Sequence, residues 1–94
     1  MDYENIIHTL VDSFVVNKDE VMVRQMPTDN EKEIVLLIVA NPEDTARLIG
    51  RKGIIADALR EIMSIAGKTE GKRIFLKFES FDVQNEDEAW LPYR

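Results

Sequence analysis

Ninety-four residues, 45% hydrophobic and 32% charged, suffice for one domain with one core and leave no room for an active site built between two. The chain has no cysteine and one histidine, His8, which excludes a disulfide framework, a thiolate zinc site, a cysteine nucleophile and a multi-histidine metal cluster. Its net charge of -6 speaks against a nucleic-acid partner until the charges are placed along the chain.

The spacing of Ile6, Ile7, Leu10, Val11 and Phe14 predicts a helix from about residue 3 to residue 16, with His8, Asp12 and Ser13 off its apolar face. Asp2 suits its N-cap and Asn17 a left-handed stop. Glu20 to Met26 is rich in β-formers and ends at the turn residues Pro27-Thr28-Asp29-Asn30. Ile34 to Ala40 follows as a strand whose unbroken Val, Ile and Leu predict apolar contact on both faces. The two strands form an antiparallel hairpin with a loop longer than two residues.

Asn41-Pro42-Glu43-Asp44 is a helix start: Asn41 caps, Pro42 takes the first helical position, and two acids meet the positive helix end. The helix is short, with Ala46, Leu48 and Ile49 packed inward and Gly50 ending it. After Gly50-Arg51-Lys52-Gly53, the residues Ile55, Ala58, Leu59, Ile62 and Ile65 predict a second helix to about Ala66, closed by Gly67. A polar loop, Lys68 to Lys72, leads to a strand in which Ile74, Leu76 and Phe78 point one way and Arg73, Phe75 and Lys77 the other. The expected fold class is α+β in the order α-β-β-α-α-β, with three helices on one face of a three-stranded sheet. Residues 1–80 make up the domain and 81–94 an acidic C-terminal tail carrying Trp90 and Tyr93.

The longest apolar run, Ile34 to Ala40, has seven residues where a membrane-spanning helix takes ~20. Met1-Asp2-Tyr3-Glu4 lacks the basic and apolar regions of a signal peptide, so a complete cytoplasmic chain is expected. The charge is unevenly spread. Residues 46–78 carry eight bases against three acids, a net +5, while 1–45 carry -7 and 79–94 carry -4. Attraction to phosphates depends on potential over about a Debye length, ~8–10 Å, so a basic middle third can bind what the whole chain would repel.

That third contains Gly50-Arg51-Lys52-Gly53 between two helices. The first glycine permits the positive backbone angle that ends a helix, and the second removes a side chain at the mouth of the next. The amides of Lys52, Gly53 and Ile54 are expected near a helix N-terminus, where unpaired donors favour an anion, and Arg51 and Lys52 add two outward charges. Such a site suits a phosphodiester backbone.

The stretch Arg47-Leu48-Ile49-Gly50-Arg51-Lys52-Gly53-Ile54-Ile55 resembles the signature of the KH domain, whose G-x-x-G loop clamps about four nucleotides. The helix ahead of the strands is similar to the type II arrangement. The length, and Glu70-Gly71-Lys72-Arg73 before the last strand, resemble the small single-KH RNA-binding proteins of bacteria, the KhpA or YlqC type, over residues 2–80. The tail from Phe81 departs from that pattern.

This resemblance implies binding of single-stranded RNA, as a chaperone or post-transcriptional regulator. It further implies a homodimer or a heterodimer with a larger KH-containing protein, and no cofactor, metal or small-molecule substrate. It implies a groove between the loop with its following helix and the edge strand. Arg51 and Lys52 would hold phosphates there, Gly50 and Gly53 would allow close approach, and Ile49, Ile54 and Ile55 would line the floor. Arg47, Lys72, Arg73 and Lys77 would extend the positive rim.

Other readings fit less well. A helix-turn-helix DNA binder would have to enter a phosphate-lined groove with Asp57 and Glu61 on its second helix. A pure interaction or dimerisation module is suggested by the apolar strand at 34–40, of which one helix layer covers one face. An RRM-like platform lacks its aromatic pair, since Phe75 and Phe78 have opposite parity. Ala66-Gly67-Lys68-Thr69 ends like a phosphate-binding loop, but Ile62 stands where that motif needs glycine. No base accompanies Ser13, Ser64 or Ser80, so no enzyme is expected.

Overall fold

In a computed structural model that describes residues 1–81, the elements follow the expected order. Beyond Phe81 the acidic tail, with Trp90 and Tyr93, lies outside the described residues. Helix α1 (Tyr3–Asp12) is capped by Asp2, whose carboxylate accepts the Asn5 amide at 3.0 Å. It buries Tyr3, Ile7 and Val11, leaving Ile6 and Leu10 half-buried.

The helix closes at Asp12 rather than near residue 16, and Asn17, at φ -101°, is no left-handed stop. The cause is a competing acceptor. The Asp44 carboxylate takes the amides of Val16 and Asn17 at 2.9 and 3.0 Å, drawing the chain off the helix axis. Val15 then turns into the core and Phe14 out to solvent. A 3-10 turn, Lys18–Glu20, replaces the expected start of the first strand.

Strands β1 (Met22–Met26), β2 (Glu33–Ala40) and β3 (Arg73–Ser80) form a sheet in that spatial order. β1 and β2 pair antiparallel, from Met22 opposite Val39 to Met26 opposite Val35. β2 and β3 pair parallel, with Ile34 opposite Ile74 and Ile38 opposite Phe78. A parallel pair needs a crossover, which helices α2 (Pro42–Ile49) and α3 (Ile54–Lys68) supply. Ile34, Leu36, Ile38 and Ala40 are buried beneath the helices with Ile74 and Leu76. Val35, Leu37 and Val39 on the opposite face are half-buried, so β2 is covered on one face and not on both.

Asn41 caps α2, accepting the Asp44 amide at 2.8 Å. Asp44 and Leu48 are its buried residues, whereas Ala46 and Ile49, expected inside, are exposed. The same phase difference recurs in α3. Ala56, Leu59, Met63 and Gly67 face the core, while Ala58, Ile62 and Ile65 are exposed.

Two overlapping apolar stripes are written into α3, and contact with the sheet selects between them. A Cβ on Gly67 would lie 2.6 Å from the Lys72 carbonyl oxygen and 2.7 Å from Ile74 Cγ1. Gly67 therefore lets helix and strand touch rather than ending the helix. A hydrogen bond from Tyr3 to Glu70 joins α1 to the turn before β3. That bond is the main reason the phenol is pushed up to about 12, while the Glu70 carboxyl is held below its usual range.

Candidate nucleic-acid interface

The bend between α2 and α3 is built by backbone handedness. Gly50 ends α2 at φ 77°, ψ 174°, its amide still donating to the Ala46 carbonyl at 2.9 Å. Arg51–Gly53 forms one 3-10 turn, with Lys52 at φ 58° and Gly53 at φ 79°. Among the described residues Lys52 is the one non-glycine with positive φ, a conformation costing ~1–2 kcal/mol. A Cβ on Gly50 would also meet Ile55 Cγ1 at 2.5 Å, whereas a Cβ on Gly53 would meet nothing within 4 Å. The first glycine is demanded by the fold. The second keeps open space above the backbone.

Arg51 and Lys52 are exposed, and among the described residues neither pairs with an acid. Two of the three amides expected to face an anion are taken internally. Gly53 donates to the Gly50 carbonyl at 3.0 Å, and Ile54 donates to that of Arg51. The grip on an anion therefore falls to the two side chains. Behind them stands the N-terminus of a 15-residue helix that has no side-chain cap.

Ile49, Gly50, Arg51, Lys52, Gly53 and Ile54 come together at this bend. Ile49 and Ile54 lie on its surface, the latter 63% exposed, and Ile55 packs inward against the core. Arg47, one turn back, is already engaged: its Nη1 donates to Asp44 Oδ1 at 2.7 Å. Asp44 is fully buried and accepts the Val16 and Asn17 amides as well. The Val16 amide above all holds its carboxyl below the usual range, with Asn17 and Arg47 helping and burial opposing.

The rest of the expected rim is corrected. α3 runs back along β3, with Gly67 against Ile74 and Arg60 over Phe78, so the bend lies beyond the C-terminal end of β3. Lys72 and Arg73 stand at the other end of that strand. Lys72 Nζ donates to the Glu31 carbonyl at 3.0 Å, and Arg73 is paired with the Glu33 carboxylate. Lys77 is on the uncovered sheet face, beside Leu37.

Sequence reasoning missed two features. One is the buried carboxylate of Asp44, which reads as an ordinary first-turn acid. The other is the Arg60 guanidinium, which sits 5.4 Å from the Phe78 ring centroid. Its only trace in the sequence is the helical spacing of Asp57 and Arg60. Among the described residues no group of His, Cys, Asp and Glu gathers to hold a metal, and no helix is long and apolar enough to cross a membrane.

Residues 4–78 match the family model described as KhpA/KhpB, KH domain. The chain is similar to the RNA-binding protein KhpA of Aquifex aeolicus, at 34% identity over 74 residues covering 79% of this chain and 91% of that one. The protein of the same name from Oceanobacillus iheyensis is 35% identical over 72 residues, 76% of this chain and 92% of that one. The one from Bacillus subtilis is 32% identical over 79 residues, 84% and 93%. No solved structure matches the chain significantly.

Proposed function

The chain belongs to the KhpA/KhpB KH-domain family, and from that premise we propose that it binds single-stranded RNA, the bend at 50–53 gripping the sugar–phosphate backbone. One observation carries this reading: three positive φ angles in four residues turn two exposed cations, Arg51 and Lys52, out beside an uncapped helix N-terminus. Gly53 leaves room for a strand to approach the backbone. The relatives named as RNA-binding proteins support the same ligand. A grip led by charge discriminates weakly between sequences, which suits a cytoplasmic RNA chaperone or post-transcriptional regulator.

The test is charge reversal at the bend. Arg51→Asp with Lys52→Asp abolishes RNA binding while the thermal melt stays nearly unchanged, because both side chains are exposed. With three or four phosphates held, the log–log salt slope of the unmodified protein is ~2–3 in magnitude. Undiminished affinity in the folded double variant overturns the reading.

A second reading, pairing with another copy or with a larger KH-containing chain, is favoured by a different surface. Ile54, Ala58, Ile62 and Ile65 follow one another along the outer side of α3, and all four are exposed. An apolar stripe of this length on a helix is a surface that association would bury. It is compatible with RNA held at the bend.

A further inference from the structure

Arg60 and Phe78 occupy a place on the surface that the charge of the bend does not explain. Phe78 is half-buried near the end of β3, on the helix-covered face, and among the described residues β3 pairs with a neighbour on one side only. The Arg60 guanidinium lies over its ring at 5.4 Å, within the range of a cation–π contact. Asp57 Oδ1 approaches Arg60 Nη1 at 3.5 Å, and the Arg60 side chain remains 49% exposed. The ring backs the guanidinium on one side, and the exposed Asp57 carboxylate lies at the limit of hydrogen-bond reach on another.

We infer that Arg60, seated on Phe78, is a stacking site for a nucleobase of the RNA strand held at the bend. The inference rests on the RNA-binding reading and extends it from the phosphates to a base. Arg60 is seven residues into the chain from Gly53, about 10 Å along the axis of α3 at 1.5 Å per residue, within reach of the roughly four nucleotides such a loop clamps. Its charge is partly compensated by Asp57, so a phosphate gains less there than at Arg51 or Lys52. What Arg60 keeps is a flat, weakly hydrated plane, backed by an aromatic ring, on which a base can stack.

A similar pair elsewhere supplies the control. Arg73 lies 5.9 Å from the Phe75 ring, but on the uncovered sheet face and at the end of β3 away from the bend. It should not touch the strand.

The experiment uses the full chain and short single-stranded RNA oligonucleotides carrying a fluorescent purine at successive positions. Stacking quenches the fluorophore at one or two adjacent positions in the unmodified protein. Arg60→Lys keeps the charge and loses the plane, so the quench disappears and affinity falls about five- to tenfold with the salt slope unchanged. Phe78→Leu, which keeps the apolar packing, shows the same loss of quench, and Arg73→Lys behaves as the unmodified protein. Arg60→Lys with full quench and full affinity overturns the inference while leaving the bend's role intact. An unmodified protein that binds none of the oligonucleotides overturns the RNA-binding reading and this inference with it.

Discussion

The Asp44 carboxylate accepts the Val16 amide at 2.9 Å, tying together two points 28 residues apart in the chain. The same carboxylate takes the Asn17 amide and the Arg47 guanidinium, so one buried acid fixes the exit of α1 and steadies the helix that ends at the bend. These three donors, Val16, Asn17 and Arg47, all favour the ionised form.

The pH dependence follows from that depression. The folded carboxyl binds its proton less readily than the unfolded one, whose ordinary value is 3.8. Stability from this group is fully present above that value and is lost as pH falls below it, because the unfolded chain takes up the proton first. Asp44→Asn is expected to lower the melting temperature at neutral pH, since an amide cannot accept both backbone donors and the guanidinium as a charged carboxylate does. It also flattens the decline below pH 3.8. Thermal melts of both proteins across acid and neutral pH check this, and parallel declines would contradict it.

How much of this arrangement was legible beforehand depends on the range of the cause. Asn41 and Pro42 announce α2 through purely local chemistry, and the glycines of the bend announce its handedness in the same way. The end of α1 was not readable, because it is decided by an acceptor 28 residues downstream. The inward face of α3 was not readable either. Ile55, Ala58, Leu59, Ile62 and Ile65 satisfy helical spacing as well as Ala56, Leu59 and Met63 do, and contact between Gly67 and β3 chooses the second set. At the candidate site, the Gly50-Arg51-Lys52-Gly53 spacing already places two cations on a bend between helices. The displacement of Lys72 and Arg73 to the far end became visible only once α3 was seen to run back along β3.

The two glycines of the bend separate stability from binding. Gly50→Ala places a Cβ against Ile55 and forces alanine into backbone space nearly reserved for glycine, a cost of about 2–3 kcal/mol or more. Gly53→Ala meets no neighbour and costs about 1 kcal/mol for its left-handed φ alone. Urea unfolding should rank the two variants in that order. RNA titration of the folded Gly53→Ala protein should show weakened binding, because the new methyl group stands where a strand would approach.

The outer stripe of α3 makes a prediction about mass. Ile62 and Ile65 are 44% and 59% exposed and contribute little to the core. Ile62→Lys with Ile65→Lys should therefore leave the fold of the single chain intact. If the stripe is where copies pair, light scattering finds the unmodified chain heavier than a monomer and the double variant at monomer mass. A double variant that keeps the larger mass would move the pairing surface elsewhere, the uncovered sheet face with Phe75 being the next to test.

The acidic tail is expected to bear on affinity through its charge. Residues 82–94 carry Asp82, Glu86, Asp87 and Glu88 against Arg94, and removing them takes the net charge from -6 to -3. They follow Phe81, whose amide donates to the Ala40 carbonyl at 2.9 Å, which places residue 81 at the end of the sheet nearest the bend. Four acids tethered there are expected to compete with phosphates for Arg51 and Lys52 and to raise the local cost of bringing in a polyanion. Truncation after Phe81 should strengthen RNA binding at low salt, and the gain should fade as ionic strength shortens the Debye length to ~8 Å and below. An affinity that ignores the truncation at low salt would show that the tail's charges stay out of range of the bend.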